Sequence, residues 1–207
     1  MRTSTQSSIR DQNKVYHANV HKEYTLDVKG REFLRSEGIC LAKLPRALKA
    51  VEITALNVMY SGIGIRNLNG GMEFYSTSLS NTPVTVRRPG ITYIPRVEGH
   101  RSDNCCLFSD FIDYLSFLSL RDRHQVVLPD CDCLILRSIS NFMQMLHDCK
   151  KYDKVYCFFP NTTYGKTLYL TVSGCLKRTV RDFSDKYKGS PNIHHYIKEL
   201  ENNGKNR

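Results

Sequence analysis

The chain has 207 residues, 41% of them hydrophobic and a tenth aromatic, which excludes a disordered chain and leaves room for one large domain or one domain with a smaller companion. Its formal net charge of +10 points to polyanionic partners. The charge is uneven: residues 1–50 carry ten Lys/Arg against five acids and 176–207 carry eight against four, while 101–150 carry five against seven. Solvated surface lysines account for basic ends as readily as a nucleic-acid footprint does, so both readings stay open.

Residues 1–27 are polar and without period, and are expected to form a flexible basic arm. A small α+β region is expected over 28–100. It opens with a helical pattern from Glu32, carrying Phe33 and Leu34 and stopping at Gly38, with a second short helix over Leu41 to Leu48. Strands follow at Val58 to Tyr60 and Gly62 to Arg66. Asn69-Gly70 is a hairpin signal, because such turns need positive φ. Met72 to Ser76 returns, Val84 to Arg88 alternates, Pro89-Gly90 breaks the run and Ile91 to Ile94 resumes it, completing an antiparallel meander.

Residues 101–201 then read strand, helix, strand, helix, strand. The strands are Asn104 to Phe108, Cys133 to Leu136 and Val155 to Phe159. Between them, Phe111, Tyr114, Leu115 and Leu118 recur at helical spacing, as do Phe142, Met145, Leu146 and Cys149. This is the pattern of a parallel sheet with covering helices, and function gathers at the carboxyl ends of such strands. Those ends are Ser109-Asp110 and Pro160 to Gly165. A helix over Lys166 to Leu176 (with Leu168, Leu170 and Val172), a strand at Thr179 to Phe183 and a helix over Asn192 to Glu201 complete the pattern. Ser190 before Pro191 reads as the cap of the last helix, and residues 202–207 as a disordered tail.

Five of the eight cysteines, 105, 106, 133, 149 and 157, fall inside apolar patterns, where cysteine acts as a small buried hydrophobe. No Cys-x-x-Cys pair exists, which argues against zinc. Met1 to Asn13 has no apolar signal core, and Cys105 to Leu120 is interrupted by Asp110 and Asp113 and too short to span a bilayer. A cytoplasmic protein with reduced thiols and no membrane partner is expected.

The junctions carry a resemblance. A strand followed by Phe108 to Ser116, a strand followed by Arg137-Ser138-Ile139-Ser140, and a strand followed by Pro160 to Gly165 resemble, in this order, the Toprim domain of topoisomerases and bacterial-type primases. The similarity is greatest to primase-like proteins of bacterial mobile elements. Arg35 to Ile39 and Gly62 to Tyr75 resemble the helix and hairpin that precede that domain, and Asn192 to Ile197 resembles its close; the residues before Glu32 lack the cysteines of the family's zinc-binding module. The resemblance implies a Toprim-like parallel sheet flanked by helices. It also implies a glutamate acting as general acid/base after the first strand, and two aspartates holding magnesium after the third. Aligned on Asp113 and Gly165, this sequence places Ser109 and Asp110 at the first site, and Pro160 and Thr162 at the aspartates.

Magnesium is held by carboxylates, waters and substrate phosphates. Serine, proline and threonine bring no charge, so the expectation is a degenerate, inactive site without a cofactor. Asp110 is expected to cap the following helix, with a ligand or acid role for it and Asp113 as the alternative. Three readings follow. The first is a non-catalytic protein that binds DNA or RNA through Arg66, Arg87, Arg88, Tyr164, Lys166, Lys177, Arg178 and Arg181. The second is an interaction module for a replication, mobilisation or defence protein. The third is a magnesium-dependent enzyme rebuilt on Asp110 and Asp113 with Asp182 or Asp185.

Overall fold

A computed structural model describes residues 15–123, 125–176 and 178–205. Two sheets organise it. The first has six strands, β1 (Val15–Tyr16), β2 (Asn19–Thr25), β3 (Lys49–Ala55), β4 (Val58–Arg66), β5 (Met72–Tyr75) and β6 (Val84–Val86), in the order β1-β6-β5-β4-β3-β2. The second has β7 (Thr92–Ile94), β8 (Asn104–Phe108), β9 (Asp132–Ile135), β10 (Lys154–Phe158) and β11 (Thr179–Asp182), in the order β11-β10-β8-β9-β7. Its pairs are parallel except β7 with β9. The helices are α1 (Val28–Ser36), α2 (Phe111–Asp122), α3 (Phe142–Cys149), α4 (Thr163–Cys175) and α5 (Ile193–Lys205).

The parallel sheet is buried on both faces, and its alternation decides which helix covers which face. Cys106, Phe108, Cys133, Ile135, Tyr156 and Phe158 join one core with α2, α5, α1 and part of the first sheet. The intervening Cys105, Leu107, Leu134, Val155 and Cys157 face α3 and α4. A third core, around Ile53, Phe74 and Val86, lies on the other face of the first sheet. Such two-sided burial explains why these strands read as continuous apolar runs. Phe108 and Phe158, register partners on neighbouring strands, stack with centroids 5.2 Å apart.

The hairpin expected at Asn69-Gly70 joins β4 and β5. Gly70 has φ +74, and the Asn67 side chain accepts from the Asn69 and Gly71 amides at 3.1 and 2.9 Å. Gly38, φ +77, ends α1 as expected.

Several expectations need correction. Residues 15–25, read as part of an arm, form β1 and β2 and complete the first sheet; residues 1–14 lie outside the described residues. Six of the seven β2 residues are exposed, so no alternation betrayed the strand. Residues 41–48 make turns rather than a helix, around Pro45. Ile91 to Ile94 does not extend the meander: β7 crosses to the second sheet as its antiparallel edge. Helix α4 starts at Thr163, and Leu170 on it is 67% exposed. Asn192, not Ser190, caps the last helix, accepting from the His195 amide at 2.9 Å. That helix continues to Lys205, through part of the expected tail. All eight cysteines are free thiols, and the five assigned to apolar patterns are buried. No described helix is long and apolar enough to cross a membrane.

Candidate functional site

Because β8 and β10 are neighbours in parallel register, with Phe108 opposite Phe158, the two junctions open side by side at one mouth. At the first, Asp110 caps α2, its Oδ1 accepting from the Asp113 amide at 2.9 Å. Asp113 is 1% exposed, accepting from Ser109 Oγ at 3.2 Å and from the His194 amide at 3.1 Å. Burial, with the Asp110 charge adding, pushes its carboxyl well above the usual range. Both aspartates therefore hold helix ends: α2 onto its own first turn, and α5 onto α2.

At the second junction Thr162 caps α4, accepting from the Gly165 amide at 3.3 Å. A Cβ on Gly165 would fall 2.0 Å from the Pro160 carbonyl oxygen, so only glycine lets the helix start lie against the strand end. Between them, the Asn161 side-chain amide donates to the carbonyls of Ser184, Tyr187 and Ser190 at 3.3, 3.1 and 3.1 Å. Its backbone amide donates to Pro191 at 2.8 Å, and the Tyr187 hydroxyl donates to the Phe159 carbonyl at 2.7 Å. The segment 184–191 is thereby tied to the end of β10.

The third side of the mouth comes from the first sheet. Arg137, just past β9 with φ +55, lies 3.3 Å from Glu73 on β5, and the two side chains are 1% and 0% exposed. Arg137 also donates to the Pro83 carbonyl, and Glu73 accepts from Thr85 at 3.1 Å. Burial outweighs the Arg137 attraction and pushes the Glu73 carboxyl up to about 7. The Arg137 amide donates to the Ser109 carbonyl at 2.9 Å, which sets this pair beside the first junction. Behind it, Glu37 lies 3.0 Å from His194 and 3.3 Å from Lys198 and accepts from the Tyr75 hydroxyl at 3.3 Å. Burial pulls Glu37 upward, but His194 and Lys198 prevail and hold its carboxyl below the usual range.

The basic residues expected to bind nucleic acid do not form one surface. Arg66 is committed to Glu23, at 2.5 and 2.9 Å. Arg178 donates to the Tyr152 carbonyl and to Asp153, at 2.8 and 3.0 Å, at the amino end of the sheet, away from the mouth. Arg181 is exposed on the edge strand β11, and Lys177 lies outside the described residues. Arg87 and Arg88 are exposed beyond β6, and Lys166 on the first turn of α4; among the described residues Arg88 and Lys166 have no carboxylate partner. Tyr164 is half-buried against the core under α4, which pushes its hydroxyl up to about 12. Sequence reasoning missed Glu73, Arg137, Asn161 and Glu37. A charged residue directly after an apolar run, as Arg137 after Cys133 to Leu136, was the available signal.

The donor set does not suit magnesium. Ser109, Pro160 and Thr162 bring no charge, Asp110 is a cap, and Asp113 is enclosed with both oxygens engaged. Asp182 and Asp185, on β11 and the turn after it, are exposed, and the Asp182 carboxylate accepts from the Ser184 amide at 2.9 Å. Among the described residues no group of three or more His, Cys, Asp or Glu side chains is placed to hold a metal ion.

Two sheets with this order and these flanking helices define a mixed α/β protein of the primase, Toprim-like fold. The crystal structure of the primase fragment of the bacteriophage T7 primase-helicase protein matches 91% of this chain and 72% of its own, with a TM-score of 0.51 and 13% identity. A structure of bacteriophage T7 lagging-strand DNA polymerase interacting with primase domains bound to an RNA/DNA hybrid matches at a TM-score of 0.44 and 14% identity, over 93% of this chain and 89% of that one. No protein-family model and no curated protein sequence matches the chain.

Proposed function

We propose that this chain is a non-catalytic nucleic-acid-associated protein, built on a degenerate primase-type Toprim scaffold of a bacterial mobile element. The observation that carries the reading is the mouth. Its strand ends are adjacent, as phosphate chemistry needs, yet Ser109, Pro160 and Thr162 stand at the positions the resemblance reserves for carboxylates. The aspartates that remain are used to hold helices. With fewer carboxylates than the resemblance implies, the mouth repels a phosphate backbone less. Arg87, Arg88 and Lys166 supply exposed positive charge, and Tyr164 packs rather than offering a free ring for stacking.

The test is fluorescence anisotropy of labelled single-stranded and duplex DNA and RNA across a salt series. Each phosphate neutralised adds about 0.9 to the log–log salt slope on duplex and about 0.7 on single strands. Arg87→Asn/Arg88→Gln should lower that slope by between about 1.4 and 1.8; asparagine suits position 87, whose φ is +68. An unchanged slope, or no binding at about 50 mM salt, removes the reading. Magnesium-dependent polymerisation or cleavage that disappears in Asp110→Asn would replace it with an enzymatic one.

A further inference from the structure

At the amino end of β9, away from the mouth, a groove of about 970 Å³ runs between the 43–47 turn, the segment after β7, helix α2 and residues 126–133. We propose that this groove receives an acidic, amphipathic peptide segment of a partner protein.

Charge is the first argument. Lys43, Arg46, Arg96 and Arg121 line the groove against one acid, Glu98. Asp122 holds Lys43 at 3.2 Å and Asp130 holds Arg96 at 2.7 Å. Arg46 and Arg121 have no carboxylate at ion-pair distance among the described residues, and the Arg121 guanidinium sits 5.8 Å from the Phe117 ring centroid. Two guanidinium groups without a carboxylate partner among the described residues are suited to bidentate pairing with carboxylates.

The apolar wall is the second. Pro45, Ala47, Val127 and Leu128 also line the groove, and Val127 is 82% exposed. Aliphatic surface beside the Arg46 and Arg121 guanidiniums matches a segment that alternates acidic and aliphatic side chains. The third argument separates this occupant from a nucleic acid. Single-strand binders add exposed aromatic faces to their charge, and Tyr114 and Phe117 of the groove lining are only 5% and 1% exposed.

The test uses the full chain and a fluorescein-labelled peptide of about a dozen residues in which Asp and Glu alternate with Leu. A control peptide carries Lys at every acidic position. Saturable binding of the acidic peptide alone is expected, weakened about tenfold by Arg46→Glu and about tenfold by Val127→Asp. Both positions are exposed, so both variants should keep the parent circular dichroism and thermal midpoint. Arg87→Asn/Arg88→Gln should leave peptide binding unchanged, which separates this groove from the nucleic-acid surface. The proposal is overturned by absence of saturation at about 1 mM peptide or by indifference to both groove variants. Displacement of the peptide by a single-stranded oligonucleotide also overturns it, as does a self-association, seen by sedimentation, that Val127→Asp abolishes.

Discussion

Glu73→Gln tests how the two sheets are joined. The folded carboxyl is raised from an ordinary 4.5 to about 7, so between those values the native protein keeps a proton that the unfolded chain has released. Stability contributed by this group is therefore fully present below about pH 4.5 and is lost as pH rises through about 7. At 1.36 kcal/mol per pH unit the loss comes to about 3 kcal/mol. Glutamine is close in shape to the protonated acid and cannot ionise. Parent and variant should match at pH 4.5, and by pH 7.5 the variant should have gained about 3 kcal/mol on the parent. Urea unfolding followed by far-ultraviolet circular dichroism across that range measures the gap. If the variant instead falls behind by the roughly 3–5 kcal/mol expected of a broken buried ion pair, attraction to Arg137 wins over burial and the reasoning fails. A gap that does not change with pH refutes it as well.

Asn161→Ala removes the donor that holds three carbonyls of the 184–191 segment. A loss of about 1–3 kcal/mol is expected, with faster hydrogen exchange confined to that segment and α5; a change below about 0.5 kcal/mol would show the clasp to be slack. Asp113→Asn replaces a carboxyl whose burial favours the neutral form by an amide that keeps both polar contacts. Chemical denaturation at neutral pH should shift by less than about 1 kcal/mol, whereas a loss above about 3 would mean that the charge itself is required there.

The parallel sheet was legible because burial on both faces leaves its strands as short apolar runs, and their ends were located to within one residue. Asp110 was legible too, since an aspartate ahead of a helical stripe reads as a cap. What escaped depended on tertiary docking. Nothing near Glu73 announces that it will lie under Arg137, because the pairing exists only once the two sheets meet. Asn161 looks like an ordinary loop residue until segment 184–191 arrives to be held. Strand β7, only three residues long, has no local signal for which sheet it joins. The scatter of the basic residues has a related origin: a list of lysines and arginines carries no information about ends of a sheet, and Arg178 stands at the far one.

Glu37 finds Lys198, its partner across 161 positions of sequence, only when the last helix arrives. During synthesis the amino-terminal region emerges first, with this carboxylate still in water and the surface meant for α5 uncovered. Closure of the core beneath α1 thus waits on the emergence of residues 193–205 from the ribosome, and a nascent chain stalled before residue 193 should be open to proteases around α1.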